Sequence, residues 1–258
     1  MKADPGYFGP NSMMWKVNKE ITVLFGGARA LLMHAAHPLI AAGARQTSFY
    51  QRDPWKRLIR TLSLQNSVTF GTIEEANDSA TRINRLHEVI KGKDEVTGGY
   101  YDALDHEQLL WVHACLQISS IYFYEKTVRK LTDDEKNQYH DENMVSAKLV
   151  LIDIDKTPKT HEELKRWVME KSRDKNYLRL TDVAKDVQDI ISGGPVPKHI
   201  KPIWPFISFT AFNTLPDEFK KLYGVKSSKF KSLLLAFNLN LLKSISLSPS
   251  AMLAAIVS

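Results

Sequence analysis

The chain has 258 residues, 43% hydrophobic and 25% charged, the make-up of a folded globular protein with a sizeable core rather than a disordered or fibrous one. Its one cysteine, Cys115, excludes an intramolecular disulfide and a cysteine-rich zinc site, and suits a reducing, cytoplasmic location. The net charge of +6 and pI near 9.2 suit contact with anionic groups, but the lysines are dispersed and do not form the aromatic-interleaved pattern of a base-stacking surface, so nucleic-acid binding has little support.

Strand-like alternation is scarce, and the chain reads as all-α, a single-domain helical bundle of about ten helices. Residues 1–17, with Gly, Pro and the pair Met13-Met14, read as an extended N-terminal arm. Residues 18–225 read as the helical domain, and 226–258 as an amphipathic helix and tail. The first long helix is expected from Asn18 to Ala36, with Gly26-Gly27 permitting a close approach or a bend. Pro38 restricts His37 and starts a helix over Leu39 to Tyr50. Asp53-Pro54 starts the next, to Ser67. Thr72-Ile73-Glu74-Glu75 has the form of a capping box for a helix ended by Gly92. Further starts are Asp105, Thr132 and Thr160, each with Glu or Gln three residues on. Leu178 to Ser192, Phe206 to Leu222 and Ser227 to Ile245 complete the set. No secretory signal is visible, and no run of ~18 apolar residues could span a membrane. The last helix leaves a peripheral membrane contact open.

His87 stands out chemically. It lies in the stripe Ile73, Ala76, Ala80, Ile83, Leu86, Ile90, so its ring is expected to face the core while Arg82, Arg85, Glu88 and Lys91 flank it. A buried imidazole needs a hydrogen-bond partner or a metal, and periodicity leaves both readings open. His113, in Trp111-Val112-His113-Ala114-Cys115, is also expected to be buried, with Cys115 pointing away from it. Arg57, Arg60 and Thr61 stand at i, i+3 and i+4, a face that is either solvated or able to hold an anion or donate to bound oxygen. His34 and His37 are three apart without the Glu of a metalloprotease motif, and His37 is expected to satisfy the helix end before Pro38. No phosphate-binding loop, dinucleotide fingerprint or serine-hydrolase elbow is present in the sequence.

These pieces occur in an order that resembles the rubber oxygenase and MpaB-type oxygenase family. The order is Gly26-Gly27-Ala28-Arg29-Ala30-Leu31-Leu32 to His37-Pro38, Asp53-Pro54 through Arg60-Thr61-Leu62, Phe70-Gly71-Thr72, Arg85-Leu86-His87 to Gly92, and Leu110-Trp111-Val112-His113-Ala114. Leu215-Pro216 through Tyr223-Gly224 extends the likeness, which covers residues 20–225. The resemblance implies a helical bundle holding haem b and using dioxygen on carbon–carbon double bonds. It makes His87 the iron ligand, places Arg57, Arg60 and Thr61 on the distal side, and gives His113 a supporting role near the haem. Arg60 stands where latex-clearing members have lysine, and a guanidinium, unlike lysine, cannot lose its proton to ligate iron.

The expected function is a haem-dependent oxygenase acting with dioxygen on a small apolar, unsaturated substrate. The alternatives are a non-catalytic haem-binding or sensing module, and a cofactor-free helical protein working at a membrane surface.

Overall fold

The computed structural model describes residues 6–47, 54–194, 196, 198 and 200–243, with the backbone alone for 54–59. The described residues form twelve α-helices, two short 3-10 turns and one small hairpin, an all-α architecture with two helices more than the sequence suggests. In chain order they are α1 (Met13–Asn18), α2 (Phe25–Ala35), α3 (Pro38–Thr47), α4 (Pro54–Phe70), α5 (Ile73–Glu88) and α6 (His106–Thr127). There follow α7 (Asp133–Leu149), α8 (His161–Arg173), α9 (Asp182–Gly193), α10 (Trp204–Asn213), α11 (Asp217–Leu222) and α12 (Lys229–Lys243).

The centre is α2 packed along α6, which is buried or half-buried along most of its length and carries polar Gln117 and Ser119 among its apolar side chains. Gly26 permits the approach: a Cβ there would lie 3.1 Å from the Ser119 carbonyl oxygen and 3.4 Å from the Phe123 ring. Gly27 faces open space and needs no such role. The chain turns through 103° between Ile21–Ala35 and Pro38–Thr47, and distant parts of the chain donate to the last carbonyls of α2, of which Leu32 O also keeps the Ala36 amide. Tyr223 Oη donates to Leu32 O at 2.7 Å, Trp111 Nε1 to Met33 O at 3.3 Å, and the Arg179 amide to Ala36 O at 2.8 Å. No single helix among the described residues is long and apolar enough to cross a membrane.

Five local expectations change. The expected Asn18–Ala36 helix is shorter: Asn18 ends α1, a 3-10 turn covers Ile21–Leu24, and α2 starts at Phe25. The arm is not extended throughout: Ser12 caps α1, whose Met13, Met14 and Val17 are fully buried between α4 and α7. Asn18 Nδ2 donates to Thr69 Oγ1, and Tyr139 Oη donates to Asn18 Oδ1, so this short helix stitches both neighbours. Helix α5 ends at Glu88, not at Gly92, which instead pairs with Tyr101 in the antiparallel strands Lys91–Lys93 and Tyr100–Asp102. A Cβ on Gly92 would come within 2.9 Å of the Tyr101 hydroxyl. Residues 178–181 stay out of α9, because the Arg179 amide is bonded to α2's end and Thr181 serves as the cap. Pro216, lacking an N–H, splits the expected Phe206–Leu222 helix into α10 and α11.

Candidate functional site

Helices α4 and α5 form an antiparallel hairpin around Gly71. Its turn is fixed locally: Thr72 Oγ1 accepts from the Glu75 amide at 3.1 Å, and Glu75 Oε2 accepts from the Thr72 amide at 2.9 Å, completing the capping box. Ser79 Oγ donates to Ser67 Oγ at 3.2 Å and sets the register. Arg60 precedes Ser67 by seven residues and His87 follows Ser79 by eight. At 1.5 Å per residue these are rises of about 10 and about 12 Å from one cross-link, so Arg60 and Thr61 stand level with His87 at the open end of the hairpin.

His87 continues the inner face of α5, after buried Ala76 and Ala80 and half-buried Ile83. It is half-buried, with its Nδ1 atom shielded from solvent. Not all of the expected stripe is core, however. Ile73 and Leu86 are 38% and 43% exposed and Val89 is 68% exposed, because only the arc through Ala76, Ser79 and Ala80 meets neighbouring helices closely. Asn84 Nδ2 donates to Leu149 O on α7, and Gln46 Nε2 donates to Val89 O, tying this end to α7 and α3. Arg60 and Thr61 are exposed, and the side chain of Arg57 lies outside the described residues.

His113 belongs to a different neighbourhood. It projects from α6 beside Gln117, one turn on, whose Nε2 donates to His140 Nδ1 at 3.0 Å. His140 Nε2 in turn donates to Pro158 O at 2.9 Å, and His161 at the start of α8 closes the group. His113 Nε2, Gln117 Oε1 and His161 Nδ1 are buried without a hydrogen-bond partner among the described residues. Burial, then the adjacent His140, pushes His113 and His161 down to about 4, so both imidazoles are neutral near pH 7. The structure brings Arg60, Thr61 and His87 to one end of a hairpin and puts His113 among α6, α7 and α8. Sequence reading missed the His140–Gln117–His161 association, for which the i, i+4 pair His113 and Gln117 was the available signal.

The remaining candidates have structural occupations. His34 Nε2 donates to Val112 O at 3.0 Å. His37 does not serve the end of α2; its Nδ1 accepts from the Ile40 amide at 3.4 Å, capping the start of α3, and burial keeps the ring neutral with a pKa near 4. Cys115 is fully buried and burial pushes its thiol well up, which makes it unreactive. Arg29, within the Gly26–Leu32 motif, is a buried cation. Its Nε donates to Thr214 O at 3.0 Å, its Nη1 to Ser119 Oγ at 2.5 Å, and the guanidinium lies 5.0 Å over the Tyr122 ring. Burial lowers its pKa to about 10, so it keeps its proton and clamps α2 to α6 and to the end of α10.

Two cavities open on the surface. One of about 480 Å³, lined by Ser67, Gly71, Glu75, Asp78, Ser79 and Arg82, lies at the closed end of the hairpin, away from His87. The other, of about 560 Å³, lies among α9, α10, α11 and the start of α12 and includes none of the expected site residues. No group of three or more His, Cys, Asp or Glu side chains among the described residues has the geometry to hold a metal ion.

The sequence model for the catalytic domain of the ER-bound oxygenases mpaB/B′ and rubber oxygenase matches residues 15–242, reaching from within α1 almost to the end of α12. No curated protein and no solved structure gives a significant match. With most of its length matched, the chain belongs to the mpaB and rubber oxygenase family and carries its oxygenase-type catalytic domain.

Proposed function

We propose that the chain is a haem-b oxygenase that uses dioxygen on a small apolar, unsaturated substrate in the cytoplasm. What supports this reading, beyond family membership, is the Ser67–Ser79 bond across the hairpin, from which similar helical rises run to Arg60, Thr61 and His87. The residues at that end fit the group. His87 offers an imidazole nitrogen, Ile83 and Ile90 offer apolar contact at i−4 and i+3 on its face, and Arg60 offers a cation for a propionate. Bound there, a haem would supply the dioxygen chemistry.

The chain's own part is to hold and to orient. His87 is anchored through α5, whose capping box and Asn84 bond fix the helix at both ends. Arg60 and Thr61 supply N–H and O–H donors for a reacting oxygen atom, and such donors stabilise charge as it develops. Arg60 remains a cation throughout, so it donates and never competes with His87 as a ligand. His113, to which the resemblance gives a supporting role, lies apart from this end, among α6, α7 and α8, and is assigned no part here.

The test is the absorption spectrum of haem-loaded protein, followed by oxygen uptake with isoprenoid alkenes. His87→Ala is expected to abolish or shift the Soret band, while Arg60→Ala keeps the band and lowers uptake. A Soret band indifferent to His87→Ala would sink the ligand assignment. Haem binding without uptake on any alkene would favour the non-catalytic module.

A further inference from the structure

We propose that the outward face of α12 docks on an anionic lipid surface. The helix has two apolar faces. The inner one packs through Leu239 and Leu242 against Phe123 and Phe206, with Asn238 Nδ2 donating to Thr210 Oγ1 at 3.4 Å. The outer one presents Phe230, Leu233, Phe237 and Leu241, which are 73%, 72%, 64% and 48% exposed. These positions fall at i, i+3, i+7 and i+11, a continuous stripe about 16 Å long. Single exposed apolar residues are ordinary, but a continuous stripe with two largely exposed phenylalanines marks a contact surface.

Charge selects the partner. Lys220 and Lys221 are paired with Asp217 and Glu218, but from Leu222 to Ser258 there are four lysines, no arginine, and no Asp or Glu. These four supply four of the six net positive charges of the chain. Lys226, Lys229 and Lys243 are exposed and have no carboxylate partner among the described residues. A stripe of Phe and Leu flanked by unpaired lysines is the pattern of a helix lying in the plane of a membrane. Its rings enter the headgroup boundary while the ammonium groups meet lipid phosphates. This inference does not depend on the haem reading, and its readout is separate.

The experiment is co-sedimentation of the full chain with vesicles of phosphatidylcholine alone or mixed with phosphatidylglycerol, at low and high salt. The wild type is expected to bind the mixed vesicles, to bind neutral ones weakly, and to release as salt screens the lysines. Phe230→Ser, Leu233→Ser and Phe237→Ser together are expected to weaken partitioning about tenfold or more, and Lys226→Glu with Lys229→Glu by about the same factor. Circular dichroism keeps loss of fold distinguishable, since all five side chains are exposed. Equal sedimentation of the triple variant would overturn the proposal. So would a wild type that ignores anionic vesicles but forms a dimer dissolved by the same three substitutions, which would assign the face to a second copy of the chain.

Discussion

At the end of α2, three carbonyls receive donors from Trp111, Arg179 and Tyr223, groups 78 to 191 residues away in sequence or drawn from a separate loop. At the turn of the α4/α5 hairpin, the bonds between Thr72 and Glu75 and between Ser67 and Ser79 reach no farther than twelve residues. The first region forms only when the whole domain is assembled, and its interior is buried and aromatic. The second can form from its own sequence, and it leaves Leu86, Val89, Arg60 and Thr61 at the surface. The centre therefore carries the cooperativity of the fold. The hairpin carries the groups available for chemistry, where side chains can change at little cost to folding.

Disrupting the centre should have the largest effect. Trp111 is fully buried, its ring 4.9 Å from Tyr177 and 5.9 Å from Trp167 by centroid, and its N–H ends α2. Trp111→Ala is expected to cost about 3–5 kcal/mol, seen as a lower midpoint in urea. A loss under ~1 kcal/mol would mean that the centre is not the cooperative unit.

Acid attacks the same region next. His37, His113 and His161 are buried and pushed down to about 4. Between about pH 6.5 and about pH 4 the unfolded chain binds protons that the folded chain refuses. Stability is therefore full above the upper value and falls as pH drops through the window, by at most about 3 kcal/mol per histidine. Urea midpoints measured across this range check the sign, and His113→Gln should make the fall shallower by one proton. The α2/α6 contact itself is tested by Gly26→Ala, expected to cost about 1–3 kcal/mol through crowding against backbone at Ser119. Gly27→Ala, facing open space, should instead be neutral or stabilising.

What the sequence made legible follows the same division. The caps at Thr72, Asp105, Thr132 and Thr160 could be read because a cap is a contact over three residues. The helical spacing of His87 and the shared face of Arg60 and Thr61 were readable for the same reason. What escaped was long-range: Arg29 clamping the end of α10, the Gln117–His140–Pro158 hydrogen-bond chain, and the burial of α1. Spacing cannot say which distant element a face will meet. It also overstated the core stripe of α5, because Ile73 and Leu86 match the helical period but lie at the edge of the arc that neighbouring helices cover.

The smallest effects belong to the hairpin, and they sharpen the contrast most. Thr72→Ala removes one side-chain acceptor from the first turn of α5 and should cost about 1 kcal/mol. Arg60 is exposed on α4, so Arg60→Ala should change stability by no more than about 0.5 kcal/mol. If oxygen uptake falls with Arg60→Ala while the urea midpoint stays put, the residue serves chemistry and not folding. If the midpoint falls by as much as for Thr72→Ala, Arg60 is part of what holds the hairpin together. The division between a cooperative centre and a hairpin available for chemistry would then fail at Arg60.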